Sequence, residues 1–149
     1  MKIIIATDDS PFSMNMINDF ANRPLPADTK VKIISVYEKA PYMYRAPMGV
    51  LMEQYATADA NSLKFAKNAI EKAAISIKNQ NPELSIITAA IEGIPKKVIV
   101  DEAEAFDADL IIIGSHGYGA IDRFLLGSVS QSVALHAKCS VEIVRKKIK

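Results

Sequence analysis

The sequence predicts an α/β fold built as a single open, doubly wound parallel sheet with helices on both faces. Three observations predict it. Short β-branched runs alternate with segments whose apolar residues recur at helical spacing, a pattern that produces parallel strands joined by crossover helices. The strand-like runs are apolar at consecutive positions, as in Ile3-Ile4-Ile5 and Leu110-Ile111-Ile112-Ile113, so both faces of the sheet must be covered. The second of these runs ends at Gly114, which marks a tight turn into the next element.

Five strands are expected: Lys2 to Thr7, Lys30 to Val36, Leu84 to Ile91, Asp109 to Gly114 and Val141 to Arg145. Each is rich in Ile or Val and bounded by polar or turn residues. Four helices fill the gaps. The first carries Met16, Ile17, Phe20 and Ala21 and is closed by Pro24 and Pro26; the second repeats Leu63, Ala66, Ile70, Ala73 and Ile77 and is closed by Pro82. The third groups Val98, Ile99, Ala103 and Phe106 behind Gly93 and Pro95, and the fourth runs from Ser128 to Ala137. These apolar stripes are core faces. The segment Tyr37 to Val50 reads as a long loop, either a cover for a bound base or irregular surface chain.

The chain has 149 residues, half of them hydrophobic, which suits one domain spanning 1–149. A formal charge of +1 leaves no electrostatic footprint for nucleic acid, and Arg145, Lys146, Lys147 and Lys149 read as a solvated basic tail. No apolar stretch approaches the roughly 18 residues that span a bilayer, and the start has no signal-peptide layout, so a cytoplasmic location is expected. The lone Cys139 reads as a packed thiol, and two scattered histidines with one cysteine do not make a structural zinc site.

The chemistry concentrates after the fourth strand, where Gly114, two residues, Gly117, nine residues, Gly127 and Ser128 lie between a strand and a helix. Free backbone N–H groups at a helix start attract phosphate oxygens, and glycine admits the ligand close to the backbone. This is not a P-loop, because Gly127-Ser128 follows Leu126 and there is no Gly-Lys-Ser/Thr to bring a cation to the phosphates. It is not a dinucleotide fingerprint either, since that motif follows the first strand. Ser128 with Gln131 also fits a capping box, in which the hydroxyl satisfies the helix itself. His116, between the first two glycines, reads as a solvent-facing turn residue, with a phosphate-facing one as the alternative. The second motif, Ala6-Thr7-Asp8-Asp9-Ser10, stands at the first strand's exit. There Asp8 is suited to accept hydrogen bonds from ribose hydroxyls, although Asp and Ser before Pro11 also make an ordinary helix start.

The segment GSHGYGAIDRFLLGSVS resembles the nucleotide-binding signature of the universal stress protein family, in its ATP-binding subgroup, and the resemblance extends over essentially the whole chain. It implies strand order 3-2-1-4-5 with two helices on each face, an adenine nucleotide alpha-hydrolase-like fold. Strands one and four then become neighbours, and ligands of open α/β sheets sit where the chain order reverses. It further implies that Asp8, with Ala6 and Thr7 beside it, meets the nucleoside and that the Val36 backbone meets adenine. Ile113 and Gly114 would lie near sugar and base, and Gly117, Gly127, Ser128, Val129 and Ser130 would line the phosphates. Asp9 departs from the glycine that many members carry. The expected cofactor is ATP, with Mg²⁺ or Mn²⁺ held mainly by the phosphates. Family members commonly dimerise through the last strand, so a homodimer through Val141 to Val144 is expected.

The leading reading is therefore an ATP-binding stress or signalling module. No Walker lysine, arginine finger or water-activating base stands out, so no catalytic residue is named and slow hydrolysis is left open. Two alternatives stand: an interaction module of the same fold without nucleotide, and a receiver-like phosphoacceptor domain suggested by Asp8-Asp9. Strand three, ending Ala90-Ile91-Glu92-Gly93, lacks the acceptor Asp that a receiver needs.

Overall fold

The computed structural model describes residues 1–39, 49–117 and 126–145. These build five strands and four helices in strict alternation. In chain order they are β1 (Lys2–Ala6), α1 (Pro11–Ala21), β2 (Lys30–Tyr37), α2 (Gly49–Gln80), β3 (Ser85–Glu92), α3 (Pro95–Phe106), β4 (Leu110–Gly114), α4 (Ser128–His136) and β5 (Ser140–Val144). The strands form one parallel sheet in the order β3-β2-β1-β4-β5, as the family resemblance implied.

Pleating sorts the strand side chains between two cores. Ile3, Ile5, Val31, Ile33 and Ile112 point to one face, where Met16, Ile17 and Phe20 of α1 and Ile70, Ala73 and Ile77 of α2 cover them. Ile4, Ala6, Ile34, Ile111 and Ile113 point to the other and are covered by Ile99 and Ala103 of α3 and Val133 of α4. The consecutive isoleucines of the sequence are thus shared between two cores, with two helices on each.

Local signals start the helices where sequence chemistry puts them. Ser10 is the N-cap of α1, its Oγ accepting from Ser13 N at 3.2 Å, and Pro11 takes the first helical position. Pro95 opens α3 behind Gly93, whose φ of 147° and whose contact with Val98 (2.6 Å to a built Cβ) leave room for glycine alone. At the far edge, Arg23 beyond α1 grips both carboxylate oxygens of Glu142 on β5 at 2.7 and 2.6 Å and also pairs with Asp19. Those hydrogen bonds, Glu142's first, raise the pKa of the guanidinium further. Cys139 packs partly buried beside the second core, and burial raises its thiol pKa, as expected of a packed thiol.

Most strand and helix ends shift by one residue from expectation, and two differences bear on the expected loop. β2 continues to Tyr37, which pairs with Glu92 of β3 and accepts from Gly93 N at 3.0 Å. Helix α2 has 32 residues and begins at Gly49, so Gly49 and Val50 belong to a helix rather than to the expected loop. Residues 55–62 are rich in alanine and polar side chains and mostly exposed, so no apolar stripe announced a helix there, and intrinsic propensity carries it. The remainder of the proposed loop, residues 40–48, lies outside the described residues, as do 146–149 of the basic tail.

Candidate functional site

The site follows from the crossing at the centre of the sheet. β1 and β4 pair side by side, with Ala6 opposite Ile113. Beyond that pair the chain turns from β1 to α1 on one face and from β4 to α4 on the other, so the two exits diverge. A cavity of about 360 Å³ opens between them, at the reversal of chain order where open α/β sheets hold ligands. Every residue named from the sequence lines it: Ala6, Thr7, Asp8, Val36, Ile113, Gly114, Gly117, Gly127, Ser128, Val129 and Ser130. Ser13, Ile34, Pro95, Ile99 and His116 line it as well. Ile34, Val36, Ile99, Pro95 and Ile113 make an apolar wall, and the other side carries hydroxyls, backbone and Asp8.

The glycine turn is closed by its own backbone. Gly127 N donates to Ser115 O at 2.8 Å, and the built Cβ of Gly127 stands 3.0 Å from that same oxygen, so a side chain there would press on the closure. Gly127 is the N-cap of α4, and no side chain caps the helix. The expected capping box is therefore displaced: Ser128 is the first helical residue, and Gln131 N bonds to Gly127 O at 2.9 Å. Closing the turn onto Ser115 drew the cap one residue back. The amides of Ser128, Val129 and Ser130 are left at an uncapped N-terminus, where aligned peptide dipoles favour an anion. Ser130 Oγ donates to Ser115 O (3.1 Å) and Gly127 O (2.9 Å), so its proton braces the turn instead of facing the cavity. Among the described residues at the start of α4, the exposed Ser128 hydroxyl and the amides are the donors that remain.

His116 is not the solvent-facing residue expected. It is half-buried, its ring lies 5.5 Å from Phe12, Nδ1 is 3.0 Å from Ser115 Oγ, and Nε2 is buried without a hydrogen-bond partner among the described residues. The packing of α1 against the turn determines this, and no local spacing signals it.

Asp8 is exposed at the mouth of the cavity. Its Oδ1 accepts from Ser10 N at 3.0 Å and from Ser13 Oγ, and the Oδ2 atom faces Gly117 so closely that a Cβ there would stand 2.6 Å away. One oxygen of this carboxylate makes the turn contacts, and the other stands against Gly117 at the cavity mouth. Asp9, next in the chain, has φ of 61° and pairs with Lys72 at 2.6 Å. The left-handed backbone accounts for glycine being favoured there, and Asp is among the few other residues that tolerate it. Asp9→Gly should accordingly change stability little, since relief of the backbone offsets an exposed ion pair worth about 0–1 kcal/mol. Asp9→Val, which cannot share that tolerance, should lose about 1–2 kcal/mol in urea unfolding. Equal midpoints for the two variants would contradict this account.

Among the described residues, no Lys or Arg lines the cavity, and no group of three or more His, Cys, Asp or Glu is placed to hold a metal ion. Asp8 and Asp9 do not form a receiver site either. β3 is an edge strand separated from β1 by β2, whereas receivers place the third strand beside the first.

The model of the universal stress protein family matches residues 1–145. The chain belongs to the universal stress protein family. Universal stress protein MJ0531 of Methanocaldococcus jannaschii is 31% identical over 148 residues, covering 97% of this chain and 82% of that protein. Among solved structures, the protein MJ0577 superimposes with a TM-score of 0.82 at 25% identity, over 99% of this chain and 97% of that one. A universal stress protein in complex with cAMP (TM-score 0.64, 22% identity, 97% and 96% covered) and the Archaeoglobus fulgidus member in complex with dAMP (TM-score 0.64, 22% identity, 96% of each) share the fold. No helix among the described residues is long and apolar enough to cross a membrane.

Proposed function

We propose that residues 1–149 act as one cytoplasmic universal stress protein domain that binds an adenine nucleotide, ATP, in this cavity and works as a stress or signalling module. The convergence of Asp8, at the exit of β1, with the uncapped start of α4, across the β1–β4 switch, carries the reading. An apolar slot between Ile34, Val36 and Ile99 suits a base, Asp8 a sugar hydroxyl, and the amides of Ser128 to Ser130 the phosphates. Nucleotide complexes of proteins with the same fold support it.

With no described cationic side chain on the wall, a polyphosphate needs its charge met otherwise, and Mg²⁺ or Mn²⁺ carried on the phosphates would supply it. Removing divalent ions with EDTA should therefore weaken ATP binding by about tenfold or more, a loss of about 1.4 kcal/mol or greater. AMP binding should change much less. Equal ATP affinity with and without metal would reject the metal's part.

The primary test is extraction of nucleotide from freshly purified protein, identified by mass, followed by titration of stripped protein with Mg-ATP. Absence of both co-purified nucleotide and binding would leave an interaction module of this fold. We further propose a homodimer through β5, the edge strand beside β4, whose outer side pairs with no other strand among the described residues. Sedimentation at micromolar concentration should show a species of twice 16.3 kDa; a sole 16.3 kDa species would exclude it.

A further inference from the structure

We propose that Ser13 is a positioning residue that commits Asp8 to reading a sugar hydroxyl with one chosen carboxylate oxygen; this rests on the nucleotide reading above. Ser13 lies in the first turn of α1 with 3% of its surface exposed, next to Ser10 at 0%. Its hydroxyl uses its full bonding capacity. It donates to Asp8 Oδ1 and accepts from Asp8 N at 3.3 Å and Ser10 Oγ at 3.2 Å, which accounts for one donor and two lone pairs. Oδ1 in turn takes the Ser13 hydroxyl and Ser10 N–H, filling its two acceptor positions. Oδ2 has no hydrogen-bond partner among the described residues. It lies against the bare α-carbon of Gly117 on the cavity wall.

The two oxygens are thereby divided, Oδ1 to the protein and Oδ2 to the ligand. A ribose presents a vicinal diol, and a fixed carboxylate oxygen accepts from such a hydroxyl without first giving up another bond or freezing a rotor. Without the Ser13 hydroxyl, Oδ1 keeps only Ser10 N–H, the carboxylate is free to rotate, and the two oxygens become interchangeable.

The experiment is titration of wild type, Asp8→Ala, Ser13→Ala, Ser13→Cys and the Asp8→Ala/Ser13→Ala double variant with Mg-ATP and with Mg-2′,3′-dideoxy-ATP, below the unfolding temperature of each. Wild type should prefer the diol by about tenfold, as expected for a hydrogen bond to a charged group. Asp8→Ala should abolish the preference, Ser13→Ala should remove most of it, and Ser13→Cys, a weak donor of similar shape, should fall between. In the Asp8→Ala background Ser13→Ala should have no further effect on the ratio, the signature of two residues acting as one unit. A Ser13→Ala protein that keeps the wild-type ratio while melting earlier would overturn the proposal and make Ser13 only a structural cap. Wild type binding both nucleotides equally would overturn Asp8 as the diol reader, and no binding of either would overturn the nucleotide reading itself.

Discussion

Gly117→Val should abolish measurable ATP binding, by about a hundredfold or more, while leaving the fold in place. The reason is room rather than backbone conformation. A Cβ at residue 117 would stand 2.6 Å from Asp8 Oδ2, and Asp8 cannot simply step aside, because its Oδ1 is held by Ser10 N and Ser13 Oγ. The valine would press on Oδ2, the oxygen left for a ligand, and fill the cavity mouth. Loss of a hydrogen bond to a charged group costs about 1.5–3 kcal/mol, and exclusion of the ligand by the side chain adds to it. Residue 117 lies outside both hydrophobic cores, so the melting temperature should fall only slightly. Isothermal titration and thermal unfolding of the same sample separate the two effects. Combining Gly117→Val with Asp8→Ala should recover the small stability loss, because the clash is with that carboxylate. If Gly117→Val binds ATP as tightly as wild type, the cavity is not the nucleotide site.

The largest loss of stability is expected at Phe20. Its ring is 1% exposed and sits in the core beneath α1 with Ile3, Ile5, Met16 and Ile17. Phe20→Ala removes the transfer free energy of an aromatic ring and leaves a cavity in close-packed surroundings, a cost of about 3–5 kcal/mol. Domains of this size are stable by only about 5–15 kcal/mol, so a large share of the stability should be lost. Urea unfolding followed by circular dichroism should show the midpoint falling with an unchanged slope. A loss below about 1 kcal/mol would mean that α1 does not pack as described. Because α1 also carries Ser10 and Ser13, any weakening of ligand binding in Phe20→Ala should track the unfolded fraction and vanish when stability is restored by osmolyte.

Periodicity made much of the fold legible. Met16, Ile17, Phe20 and Ala21 were placed on a core face by helical spacing alone, and all four are buried, as are Ala66, Ile70, Ala73, Ile77, Ile99 and Ala103. Runs of consecutive isoleucine told that both faces of the sheet would be covered, and they are. These signals are readable because strand and helix repeats are properties of neighbours in the chain. The first half of α2 escaped notice for the same reason, having no apolar stripe to repeat. Strand order came from likeness to a family, since spacing says which elements exist but not which lie side by side.

The candidate site divides along the same line. Glycine spacing and the Asp8 segment were visible as motifs, and chemistry alone suggested an anion at one and a hydroxyl at the other. Likeness to a family implied that strands one and four adjoin, and the tertiary structure pairs Ala6 with Ile113, more than a hundred positions apart, bringing those motifs to one cavity. Only the tertiary structure decided that Gly127 rather than Ser128 caps α4, that His116 is half-buried beside Phe12, and that Ser13 holds Asp8. Each of these outcomes depends on where two or more elements cross. A cap shifts when a distant carbonyl takes its amide, and a carboxylate chooses an oxygen when a neighbouring helix presents a hydroxyl. Such contacts have no repeat along the chain, so local sequence determines the parts while packing determines what they do together.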